Sequence, residues 1–197
     1  MLIFWEQRLV FLATPKAGST AIEAALESLA SVAIQRPEAL KHVSAANYQH
    51  HLAPLLAASA GGGFTTVALM REPVEWLRSW FRFRQRDDID DPEHSMRGRS
   101  FENFAADYMQ MPPPPHASIG SQSAYLCDSD GTALVDRIFR YEEMDTFVTF
   151  LEDALDCAIT LPRVNVPPAV DVELSEAMRT RLRTHMSPDC RLYDTLG

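Results

Sequence analysis

The stretch FLATPKAGSTAIEAAL, residues 11–26, sets the first constraint on the fold. Residues 9–13 are continuously apolar, a proline and a lysine end the run, a Gly-Ser-Thr turn follows, and apolar residues then recur at Ile22, Leu26 and Leu29. A short apolar run bounded by turn residues reads as a buried strand. The spacing of three to four residues after it reads as an amphipathic helix, with Ser19 or Thr20 as its cap and Glu23 and Glu27 turned outward. A strand that turns directly into a helix is the building unit of α/β folds.

The rest of the chain keeps that alternation. Residues 2–4 read as a strand joined to residues 9–13 by a turn at residues 6–8, and residues 31–34 read as another. A second helix ends before Gly61-Gly62-Gly63, and the β-branched run FTTVALM, residues 64–70, reads as a buried strand. Pro73 suits the first turn of the helix that follows. Further along, Ser100 caps FENFAADYMQ, ALVDRIFRY is a strand, MDTFVTFLEDAL is a helix, and two helices occupy residues 174–184 and 188–196. Residues 87–99 read as an exposed charged insert or flap, and residues 161–172 as an extended proline-rich piece. Together these predict a single α/β domain over residues 1–197, with a mainly parallel sheet covered by helices on both faces.

Composition excludes several classes of function. A formal net charge of −9 argues against general DNA or RNA binding, so an anionic ligand must be met by a local cluster of cations. Three cysteines without metal-ligand spacing point to neither a disulfide framework nor a zinc site, and hence to a reducing, cytoplasmic setting. The apolar start is broken at Glu6, Gln7 and Arg8, so neither a signal peptide nor a membrane span is expected. Lys16 and Lys41 are the two lysines among 18 basic residues, which marks both as positions where a compact point charge is preferred to the planar fork of arginine.

The N-terminus of a helix presents unpaired N–H groups and a partial positive charge, and is therefore an anion site. Here Gly18 lets the backbone approach closely, Ser19 and Thr20 add hydroxyls, and Lys16 adds a full charge. This suits a phosphate or phosphosulfate. The spacing is not that of the nucleoside-triphosphate P-loop, in which the lysine follows the second glycine. Instead, TPKAGSTAIE resembles the 5′-phosphosulfate loop of the sulfotransferases that use 3′-phosphoadenosine 5′-phosphosulfate, P-K-[ST/A]-G-[ST]-[ST]. REPVEWLRS, residues 71–79, is similar to the same family's 3′-phosphate motif, R-x-P-x5-S. Glu72 departs from the asparagine usual in cytosolic members. SQSAYL, VDRIFRYEEMDTFVTFL and SPDCRLYDTL look like later segments of carbohydrate-type and bacterial members.

The resemblance implies a three-layer α/β/α, P-loop-like sulfotransferase fold and a metal-free site. Lys16, Ala17, Gly18, Ser19, Thr20, Arg71 and Ser79 would hold the donor, and the acceptor would be a hydroxyl of a carbohydrate or other small molecule. His42, in LKHVS between the two motifs, is the expected general base, and its KH pair is similar to the K-T-H stretch of cytosolic members. Lys41 is a candidate helper, and Glu23 and Glu38 are the next bases in line. His50 and His51 read as surface residues, and Gln122 as part of an exposed loop, with a contact to acceptor or nucleotide as the alternative. The arginines at 78, 82, 84 and 86 interleave with Trp76, Trp80, Phe81 and Phe83, which reads as packed aromatics with arginines on the wet face, or alternatively as an anionic-acceptor cleft. Two other readings stay open, a magnesium- and ATP-dependent small-molecule kinase and a nucleotide-binding module without catalysis. Acceptor identity and oligomeric state are not legible.

Overall fold

The computed structural model describes residues 1–87, 89, 91–162 and 170–196. It is a mixed α/β fold on a five-stranded sheet. Strands β1 (Leu2–Phe4) and β2 (Leu9–Leu12) form a hairpin closed at Arg8, whose φ of 51° sets the reversal. Helix α1 (Ser19–Leu26) follows β2 and ends in a 3-10 turn, Glu27–Leu29, ahead of the two-residue strand β3 (Val32–Ala33). The short α2 (Glu38–Lys41) leads into α3 (Ala45–Asn47), a π-helical stretch Tyr48–Leu52, and α4 (Ala53–Ala60). Then come β4 (Thr65–Met70), α5 (Pro73–Arg84), α6 (Phe101–Tyr108), the short α7 (Gln122–Leu126) and β5 (Arg137–Arg140). Helices α8 (Met144–Leu155), α9 (Glu176–His185) and α10 (Ser187–Asp194) complete the chain. The proline-rich piece expected at residues 161–172 falls mostly outside the described residues, as do Asp88 and Asp90 of the charged insert.

The strand order is β3-β1-β2-β4-β5. The pairings divide evenly: β1 is antiparallel to β2 and β3, while β2–β4 and β4–β5 are parallel. The expected mainly parallel sheet is therefore half antiparallel, because the four-residue turn of residues 5–8 returns β1 straight onto β2 and leaves no length for a crossover. Alternation along the strands sorts the core. Leu2, Phe4, Leu9, Phe11, Val67 and Leu69 pack with Ile22 and Leu26 of α1 and with Phe147 and Leu151 of α8. Met1, Ile3, Val10, Leu12, Ala68 and Met70 face the other way, onto Ala45, Tyr48 and Leu126. β2 is the central strand, and in its neighbour β4 Val67, Ala68, Leu69 and Met70 are all 0% exposed. A third cluster joins α5, α6 and α9 through Trp76, Phe81, Phe101, Phe104 and Leu182.

What matters for the site is where the parallel strands stop. Leu12 pairs with Ala68, and Met70 with Arg140, so β2, β4 and β5 end at one edge of the sheet. That edge carries the loop of residues 13–18, Arg71 and Tyr141 side by side. The chain leaves β2 toward β3 on one flank and returns as β4 on the other, which makes this edge a topological switch point.

Candidate functional site

The loop of residues 13–18 is held from outside by two side chains that grip its carbonyls. The Trp76 indole N–H donates to the Pro15 carbonyl at 2.8 Å, and the His42 Nδ1–H donates to the Ala13 carbonyl at 2.6 Å. Within the loop, Lys16 has φ 61° and Gly18 φ 80°, both left-handed. That conformation costs a lysine about 1–2 kcal/mol, a strain the surrounding anchors sustain. Glycine is required at 18 for a second reason: a Cβ there would stand 2.8 Å from the Tyr141 ring.

Gly18 is the N-cap of α1 and no side chain caps the helix. The expected cap at Ser19 or Thr20 is not formed, because both residues already lie inside the first turn. Their hydroxyls make no hydrogen bond among the described residues, and the first N–H groups of α1 have no intrahelical acceptor. Ala17 is buried against the core beneath the loop, which pins the turn to the sheet.

The cations around this turn rest on aromatic rings. Lys16 Nζ lies 4.3 Å from the centre of the Phe83 ring and 5.7 Å from that of Trp80. The Arg71 guanidinium lies 4.6 Å from the centre of the Tyr141 ring, the ring that also abuts Gly18. Arg84 stands over Trp80 and Phe83 at 5.5 and 5.9 Å. Among the described residues none of Lys16, Arg71 and Arg84 has a carboxylate within ion-pair distance. Burial, reinforced by the charges of Arg71, Arg86 and Arg84, pushes the Lys16 ammonium down to about 8. Four buried polar atoms without a partner gather here: Thr14 Oγ1, Arg71 Nε, Trp80 Nε1 and Arg84 Nε. Positive charge that is desolvated yet unneutralised, beside an uncapped helix start, is an arrangement that can receive an anion.

Arg71 is placed by groups far away in sequence. Gln122 accepts from the Arg71 N–H at 2.8 Å and donates to its carbonyl at 2.7 Å, so it pairs with the strand end as another strand would. Asp189 in turn accepts from the N–H groups of Gln122 and Ser123 at 3.1 and 2.9 Å. Gln122 is 0% exposed, which corrects its reading as part of an exposed loop. Glu72, the departure from the resembled motif, caps α5 by accepting from the Glu75 N–H at 2.8 Å, and its other oxygen meets Arg183 at 3.0 Å. Ser79 shares the face of α5 that bears Trp76, Trp80 and Phe83, and its hydroxyl makes no hydrogen bond among the described residues.

His42 sits at the C-terminus of α2, half-buried. Because a carbonyl only accepts, its Nδ1 carries the proton, and in the neutral ring Nε2 keeps a lone pair. Burial lowers its basicity below the usual 6.5, against a smaller opposing effect of the Ala13 bond. Two of the other candidates are occupied elsewhere. Glu23 is 3% exposed rather than outward-facing, and it takes Lys41 Nζ at 2.8 Å and the Met1 ammonium at 3.1 Å. Lys41 is thereby a structural cation. His50 and His51 are exposed, as expected. The aromatic–arginine run of α5 divides: Trp76 and Phe81 are core, Arg78 pairs with Glu75, and Arg84 turns back over Trp80 and Phe83 toward Lys16.

Two residues were not visible from sequence as parts of the site. Tyr141 had no motif to mark it, and Asp189 acts only through its contact with Gln122, more than sixty residues away. Two concavities, of about 300 and 270 Å3, lie elsewhere, one between Tyr48 and Phe64 and one beside Ser100. Neither includes a residue of the Lys16 loop, and neither brings together charge and unpartnered polar atoms as the loop does. No group of three or more His, Cys, Asp or Glu side chains is arranged to hold a metal ion among the described residues, and no described helix is long and apolar enough to cross a membrane. No protein-family model matches the chain, and no curated protein matches it.

Proposed function

We propose that the protein is a sulfotransferase that uses 3′-phosphoadenosine 5′-phosphosulfate, on a three-layer P-loop-like fold, and that its acceptor is a hydroxyl of a carbohydrate or other small molecule. One observation carries the reading: Lys16 and Arg71 stand at adjacent strand ends, each held on an aromatic ring and neither neutralised, with the uncapped start of α1 beside them. The residues fit the donor on structural grounds, because Arg71 Nε is a buried donor without a partner and no side chain caps the start of α1.

When bound, the donor supplies an activated sulfuryl group on a phosphate leaving group. Lys16 and the N–H groups of residues 18–20 would meet the charge that collects on that phosphate. Arg71 can fork onto the 3′-phosphate, with the Ser79 hydroxyl reaching the same group. The neutral His42 ring, oriented through Nδ1, presents Nε2 to take the hydroxyl proton of the acceptor as its oxygen is sulfated.

The test is a thermal-shift series with adenosine 3′,5′-bisphosphate in chelator and, separately, magnesium–ATP. At a hundredfold excess over its Kd the bisphosphate stabilises by about 2.7 kcal/mol, which raises Tm by about 5–10 °C for a chain of this size. A shift with magnesium–ATP alone would refute the reading. His42→Asn, whose side-chain amide can keep the bond to the Ala13 carbonyl while removing the Nε2 base, should leave bisphosphate affinity nearly intact and slow single-turnover transfer about 10²–10⁴-fold.

A further inference from the structure

α5 carries more positive charge than the donor site employs. Arg71 precedes its first turn and Arg84 ends it, so the helix separates the two by about 16 Å along its axis. Lys16 reaches the far half of that helix, where its ammonium sits on Phe83 beside Arg84. A group bound at Arg71 and Lys16 therefore leaves Arg84 on the outer side of Lys16, away from the 3′-phosphate position. The Arg84 guanidinium is held on Trp80 and Phe83, its Nε is buried without a partner, and burial makes its charge costly. Among the described residues the carboxylates that face it are Asp91 and Glu38, and neither is within ion-pair distance. Asp91 is engaged with His94 at 2.8 Å. Arg86 contributes a further cation against Phe83, at 5.6 Å from its centre.

A desolvated, unneutralised arginine beyond the reacting end of a donor site lies where an acceptor must lie. We infer that the acceptor is itself an anion, and that Arg84, seated on Trp80 and Phe83, binds a carboxylate or other oxyacid group on the molecule that receives the sulfuryl group. The inference rests on the sulfotransferase reading. Two anions brought together on a chain of net charge −9 repel unless a cation offsets them, and Lys16 and Arg84, both seated on Phe83, supply that charge. The ring seats fix the guanidinium in place, and its N–H groups can fork onto a carboxylate.

The experiment has two stages. Calorimetry first establishes adenosine 3′,5′-bisphosphate binding to the wild-type protein; no binding there overturns the donor reading and this inference with it. The bisphosphate-saturated protein is then titrated with two matched pairs, D-glucuronate against D-glucose and 4-hydroxybenzoate against 4-hydroxybenzamide. In at least one pair the acid should bind roughly ten- to a hundredfold more tightly than its neutral partner. Read at pH 7, where Lys16 is mostly protonated with or without its neighbour, Arg84→Gln should abolish that preference and Arg84→Lys retain part of it. Equal binding within both pairs, or no binding of either acid, overturns the inference while leaving the donor site intact. Weaker bisphosphate binding in Arg84→Gln also overturns it, by assigning Arg84 to the donor.

Discussion

The lowered basicity of Lys16 can be measured as protons. Its ammonium is buried among Arg71 at the end of β4 and Arg84 and Arg86 at the end of α5, with Glu38 of α2 as the opposing charge, and it titrates at about 8 instead of 10.5. At pH 8 the ligand-free protein therefore carries about half a proton on this group. A dianionic phosphate against Nζ replaces the cationic surroundings with negative charge and restores the ordinary value. Binding of adenosine 3′,5′-bisphosphate at pH 8 should then take up about half a proton, and at pH 9 close to a whole one. Affinity should fall about tenfold per pH unit from pH 8 toward 10.5. The assay is calorimetry in two buffers of unlike ionisation enthalpy, with Lys16→Met as the control in which the uptake disappears. Binding that exchanges no protons between pH 8 and 9 would refute the placement of Lys16 against the ligand. The same shift acts on folding. The folded ammonium is the weaker base, so the unfolded chain binds more protons between pH 8 and 10.5 and stability rises with pH across that window. Lys16→Met should abolish that rise, which is worth up to about 3 kcal/mol before solvent screening.

Arg71→Ala should weaken adenosine 3′,5′-bisphosphate by about 1.5–3 kcal/mol and adenosine 5′-phosphate far less, and an equal loss for both ligands would show that Arg71 does not read the 3′ group. Gly18→Ala must push the Tyr141 ring away and adopt a left-handed backbone, so it should cost about 1–2 kcal/mol of stability and blunt the preference for the 3′-phosphate, measured by denaturant titration and calorimetry. Asp189→Ala strips the buried N–H groups of Gln122 and Ser123 of their acceptor and should lower Tm by several degrees; it should weaken the bisphosphate as well, since Gln122 holds the Arg71 backbone. Lys41→Met breaks the pair with Glu23, so it should destabilise the fold while leaving bisphosphate affinity unchanged; a specific loss of affinity would return Lys41 to the site.

Much of this molecule is written in short-range order. The apolar run at residues 9–13, the left-handed Gly18 and the helical spacing of Ile22 and Leu26 determine strand, turn and helix through local sterics and burial alone, and those elements stand where the pattern puts them. The same holds for Ser100, whose hydroxyl caps α6 three residues away, and for Pro73 in the first turn of α5. Lys16 and Arg71 were legible as candidates because their chemistry shows in a few neighbouring residues. What they face was not. Phe83, Tyr141 and Gln122 meet the Lys16 loop and Arg71 only because β2, β4 and β5 end at one edge and α5 lies across it. Glu23 has the outward spacing of a solvated residue. It is buried because two cations from other segments converge on it, and a sequence pattern averages over neighbours along the chain without recording neighbours in space. Whether a charge is spent or free is decided by the partners the fold brings to it. Lys41 and Lys16 are alike as residues, and only the tertiary structure pairs the first with a carboxylate and leaves the second on an aromatic ring.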